Sequence, residues 1–186
     1  MTPFGRVAAV TTSMATANFI ALNAWHSLVF GPHKGLERGP DGSFAGYSYE
    51  AFKTWAQDVQ ASGHGEAFLA WHSRLLDLTF PAVLTLALAM LTVMAGRLMP
   101  RFAAMKPAAQ WAFAMVFGLP YLLFDYTENL LVARMVAAET VPDAASVSLA
   151  SSMTAAKWAF VALALALPAV LALAAMLLGK RGNHGP

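Results

Sequence analysis

The chain has 186 residues, of which 58% are apolar and 12% charged, with a formal net charge of +2 and no cysteine. Soluble domains carry about 25% charged and 45–50% apolar residues, so this composition, with a mean hydropathy of +0.55, excludes a soluble or disordered chain. The missing cysteines exclude disulfide scaffolds and thiol or zinc-ribbon sites, and a charge of +2 is too small to recruit nucleic acid.

What remains is an all-α integral membrane protein. A helix crossing a bilayer needs about 20 mostly apolar residues, and four stretches supply them, at 7–30, 78–98, 108–138 and 150–178. They predict a single membrane domain over 1–186, a four-transmembrane-helix bundle with a short extracytoplasmic amphipathic helix between helices 1 and 2.

The first stretch follows Arg6 and contains Ala15-Thr16-Ala17, which mimics a signal-peptide cleavage site. Thr11, Thr12 and Ser13 are too polar for a signal h-region, and the uncharged run continues past that point, so a retained span is expected. Thr12, Thr16, Asn23 and Ser27 share one helical stripe, with Thr11, Asn18 and His26 on the next. Lipid cannot satisfy asparagine or histidine, so this side should face the other helices.

The connection over 31–65 has two parts. Its first half, through Gly46, is glycine-rich with Pro32 and Pro40 and reads as irregular. From Tyr47 to Ala61 the spacing is helical, with Tyr49, Phe52, Trp55, Ala56 and Val59 on one face. Ser48 is the expected N-cap and Gly63 the stop. This amphipathic helix is expected to dock on the outer surface and to roof part of the bundle's mouth.

In the second stretch Ser73, Asp77, Pro81, Thr85, Leu88 and Thr92 recur at steps of four and three. Pro81 has no N–H and clashes with the carbonyl of Asp77, which predicts a kink. His72 lies on a neighbouring face, and Arg74 is spaced to pair with Asp77. The third stretch holds the sharpest feature, the run from Leu122 to Leu131. Asp125, Glu128, Asn129 and Val132 share one face, Tyr121 precedes them by one turn, and Pro120 should bend the helix there. Two carboxylates three residues apart repel, so the pair requires a shared proton or a cation. Lys157 in the fourth stretch is the candidate cation, with Thr154 one turn away and Pro168 deeper.

Arg6, Arg97, Arg101, Lys106, Lys180 and Arg181 fall on one side of a four-span chain with no acid among them. The positive-inside rule makes that side cytoplasmic, with both termini inside a bacterial cytoplasmic (inner) membrane. His26, Asp77, Asp125, Glu128 and Lys157 then lie at similar heights in the outer half, and the inner half keeps only Thr85, Thr92 and small residues. The expected site has Asp125, Glu128 and His26 as acid/base groups and Asp77, Asn129, Lys157, Tyr121, Asn23 and His72 as ligand contacts. Asp125 and Glu128 should line a cavity open to the outer leaflet.

No metal is expected, because the chain has no Glu-x-x-His and no histidine-rich pattern. His64-Gly-Glu66 sits among loop glycines, a haem clamp by His26 and His72 has no supporting motif, and the cofactor is unknown from sequence. Ten methionines and five tryptophans read as packing and interfacial residues. Three functions fit: binding or processing a small-molecule or lipid-like ligand, an accessory subunit with a membrane-protein partner, and a proton- or cation-coupled conduit. Membrane lipid is a partner in all three; the apolar inner half disfavours the conduit.

Overall fold

The computed structural model describes residues 2–31, 36, 39–138 and 141–182, with the backbone alone at 29, 30, 72, 73 and 179–182. Among the described residues the regular structure is all helical, with no strand. Helix α1 covers Pro3–Trp25. The Thr2 hydroxyl accepts the Gly5 N–H at 3.1 Å, and Pro3 opens the helix where a missing N–H costs nothing. A π-helical turn, His26–Phe30, continues it and ends at Gly31, whose φ of 60° suits glycine.

Helix α2, Tyr49–Ala61, forms where the periodicity places it. Ser48 caps it by accepting the Ala51 N–H at 3.2 Å, and Gly63 ends it at φ 74°. Its buried face is Phe52, Trp55, Ala56 and Val59. These pack against Phe68, Val132, Val136 and Val147, and each large side chain so buried stabilises by about 1.5–3 kcal/mol.

The next helical run is longer than its apolar core. A short α3, Gly65–Ala67, a π-helical stretch, Phe68–Leu76, and α4, Asp77–Gly96, form one run of 32 residues. A short α5, Pro100–Ala103, and α6, Pro107–Ala114, follow. The stretch expected as one helix over 108–138 is two, α6 and α7, Gly118–Ala137, bent by 46°. The bend lies upstream of Pro120 because the proline ring excludes a helical carbonyl four residues before it, at Val116. Pro120 itself sits in the first turn of α7, where proline is tolerated.

Helix α8, Ala144–Gly182, has 39 residues and extends beyond the expected span. Asp143 starts it, its carboxylate accepting the Ser146 N–H at 2.9 Å. Hydrogen bonds from Ser146 hold the Asp143 carboxyl below its usual range. Three helices are long and apolar enough to cross a membrane, Pro3–Leu28, Gly65–Gly96 and Ala144–Leu178, or four if the bent pair forms one span.

Helix α4 is central: it contacts α1, α7 and α8, while α7 lies along α8. At one end the start of α1 meets the α4–α6 connection. Arg97 lies over the Phe4 ring at 5.3 Å and donates to the Gln110 side chain at 2.8 Å. This is the basic end. The opposite end carries α2 and residues 39–47, which contain a single 3-10 turn at Pro40–Gly42.

Candidate functional site

Lys157 on α8 is 4% exposed. A buried ammonium is strongly destabilising unless it is paired, and this one has three carboxylate partners. It meets Asp125 at 3.0 Å and pairs also with Glu128 and Asp41. The predicted approach of Lys157 to the Asp125/Glu128 face is present. Glu128 is also held from behind, its Oε1 accepting the Thr154 hydroxyl at 2.6 Å. Thr154 stands one turn before Lys157, the spacing that lets one helix face supply both groups.

Asn129 ties this pair to α4. Its amide donates to Asp125 Oδ2 at 3.0 Å and makes a long contact, 3.5 Å, to the Asp77 carbonyl. That carbonyl is the one Pro81 deprives of its helical donor, so the proline on α4 and the asparagine on α7 complement each other. The Tyr126 hydroxyl donates to the neighbouring Leu78 carbonyl at 2.7 Å. Asp77 and Tyr121 are both buried. Arg74, spaced to pair with Asp77, is exposed.

Asp41 was not legible as a site residue. It stands in the irregular connection, where no period assigns an orientation, and the Pro40-Asp41-Gly42 turn is its only sequence signal. Its carbonyl accepts the Trp158 indole N–H at 3.0 Å, and the Tyr47 N–H donates to Ser151 Oγ at 2.7 Å. Burial, and next the Glu128 carboxylate, push the Tyr47 phenol upward, so it stays neutral.

A cavity of about 1060 Å³ lies between α1, α4, α7, α8 and residues 39–47. Its polar end is built by Asn23, His26, Asp41, Asp77, Tyr121, Asp125 and Lys157. Its long wall is apolar, with Phe80, Leu84, Leu88 and Leu91 of α4 facing Val161 and Leu165 of α8. Thr12 and Thr16 of the polar α1 stripe also line it. From the adjacent stripe, Asn18 donates to Thr79 on α4 at 2.8 Å.

Two expectations are corrected here. Asp125 lines the cavity but Glu128 does not; it is 1% exposed and lies behind the Lys157 ammonium, with Thr154. The α2 helix does not roof the cavity. Its apolar face is consumed by packing on α7 and the start of α8, and Asp41, Gly42 and Phe44 border the cavity instead. Of the remaining expected contacts, Asn23 lines the polar end while donating to its own helix at the Phe19 carbonyl, 2.8 Å away. His26 also lines it, close to Gly39, where a Cβ would stand 3.1 Å from His26 Nε2. The side chain of His72 lies outside the described residues.

Oxygen atoms of Asp41, Asp125 and Glu128 lie within 4.8 Å of one another, close enough to share a metal ion. The chain's own ammonium pairs with all three. The ammonium is thereby occupied by the chain's own carboxylates, and the accessible carboxylate oxygens of the polar end can accept hydrogen bonds. No protein-family model, curated protein or solved structure matches this chain.

Proposed function

We propose that this chain is a four-span protein of a bacterial cytoplasmic membrane whose cavity binds an amphipathic, lipid-like ligand. The carrying observation is the cavity's polarity: apolar along its length and charged at one end. Between Asp77 and Leu91 the α4 wall runs about 21 Å at 1.5 Å per residue, which suits a hydrocarbon chain lying along the helices. The head of the ligand sits among Asp125, Asp77, Asp41 and His26. Carboxylate oxygens, and a Lys157 already paired with three carboxylates, favour a hydroxyl or ammonium head over a phosphate. Asp125 and His26 are the groups placed to exchange a proton with that head, and Glu128 acts indirectly, by fixing Lys157. The basic end faces the cytoplasm by the positive-inside rule.

Solvent extraction of the purified protein followed by mass spectrometry tests this reading. Wild type should release an amphiphile that Leu84→Trp, which fills the apolar wall, and Asp125→Asn, which alters the head contact, both lack while remaining folded. Equal amounts from all three proteins would contradict it.

A second reading, an accessory subunit docked on a membrane-protein partner, is favoured by one feature. Helix α1 leaves Val7, Val10, Met14 and Ile20 exposed, a face that another helix or lipid would cover. Stoichiometric recovery of a partner, with no bound amphiphile, would select that reading.

A further inference from the structure

Residues 39–47 cross the polar end of the cavity as a strap. Beyond the one 3-10 turn the strap has no helical ladder, and glycines of positive φ stand toward both ends, Gly39 at 68° and Gly46 at 84°. Asp41, Gly42 and Phe44 line the cavity, so the strap is part of its wall. Anchors on α8 hold it, and at its end the Tyr47 ring also stacks on Phe52 of α2, 5.5 Å between centroids. The Asp41 carboxylate pairs with Lys157, and the Asp41 carbonyl takes the Trp158 indole N–H. The Phe44 ring packs edge-on against Trp158 at 4.3 Å between centroids. The Tyr47 N–H reaches Ser151, an approach so close that a Cβ at Gly46 would stand 2.5 Å from Ser151 Oγ.

We propose that this strap is the access gate of the cavity and that the Asp41–Lys157 pair is its latch. Three observations carry this. The anchors on α8 are side-chain contacts and isolated hydrogen bonds, so releasing them unwinds no helix. The two glycines can absorb the backbone rotation with no Cβ to obstruct it. Lys157 keeps Asp125 and Glu128 when Asp41 leaves, so opening strands no unpaired buried ammonium. The departing Asp41 already reaches solvent, its side chain being 27% exposed. On opening, the strap gives up at α8 the Asp41–Lys157 ion pair, the Phe44–Trp158 ring contact and the hydrogen bonds to Trp158 and Ser151.

The chain has no cysteine, so a single introduced thiol reports access without background. Ala87 lines the cavity and is 1% exposed, while Val93 is fully buried on the same helix and lies away from the cavity lining. The experiment measures the reaction of Ala87→Cys and of Val93→Cys with a membrane-impermeant trimethylammonium methanethiosulfonate, on the full chain in phosphatidylcholine nanodiscs. Asp41→Asn and, separately, Phe44→Ala should each speed modification at Ala87→Cys. For Asp41→Asn the increase should be about tenfold or more, the scale of one lost charge-assisted hydrogen bond. The rate at Val93→Cys should stay unchanged. Unaltered rates at Ala87→Cys would overturn the gate. A parallel rise at Val93→Cys would overturn it too, because it would mean the whole fold had loosened. No ligand enters this readout, so a failed gate is distinguishable from a wrong ligand assignment.

Discussion

Lys157 is the residue on which the polar site turns. Its ammonium joins α8, α7 and the strap through Asp125, Glu128 and Asp41. Removing one member of a buried ion pair costs about 3–5 kcal/mol, because the partner charge is left uncompensated. Lys157→Met should therefore destabilise the protein by that order, measured by unfolding in mild detergent. The double variant Lys157→Met/Glu128→Gln should lose at least about 0.5 kcal/mol less than the sum of the single losses, the coupling expected of residues in contact. Additive losses would mean that the two charges do not meet. The Lys157 pairing was legible because uncompensated charges at equal depth in apolar helices must find each other. The division of labour between Asp125 and Glu128 was not. Both lie on one helical face, and only the neighbouring helix decides that Asp125 borders the cavity while Glu128 is sealed against Thr154.

Among the elements, α2 was the most legible, since a cap, an amphipathic period and a glycine stop all name the same helix. Ser48→Ala removes the hydroxyl that accepts the Ala51 N–H and should cost about 1 kcal/mol, read as a lowered thermal midpoint with the fold retained. The role of α2 was less legible, because an apolar face specifies burial without naming what it is buried against. The bend between α6 and α7 shows a similar limit. A proline marks a disturbed ladder, but the disturbance falls four residues earlier, at Val116, rather than at Pro120. The strap was the least legible element, since its conformation depends on contacts with α8 far along the chain. Gly46→Ala tests that dependence. The new Cβ would be 2.5 Å from Ser151 Oγ and 2.9 Å from the Ser151 carbonyl, at a φ that L residues rarely adopt. It should destabilise the protein by at least about 1 kcal/mol, whereas Gly65→Ala, with no atom within 4 Å of the new Cβ, should be nearly neutral.

For the whole molecule, composition points to helices for a membrane, and the apolar stretches locate three helices, or four if the bent pair is one span, that are long and apolar enough to cross one. Reporter fusions after Lys106 and after Asp143 should place those positions on the cytoplasmic and outer sides respectively; the reverse pattern would overturn the proposed orientation. The cavity was legible only as a tendency of polar residues to converge. Its volume and its one-ended polarity arise from the gap left between α1, α4, α7 and α8, which no single helix encodes. The most direct test of the ligand-binding account is an experimental density map of the protein purified without added lipid. The account predicts elongated non-protein density, with its head against Asp125 and His26 and its tail along Leu84, Leu88 and Leu165. A cavity closed by protein side chains, or one holding only water, would contradict it.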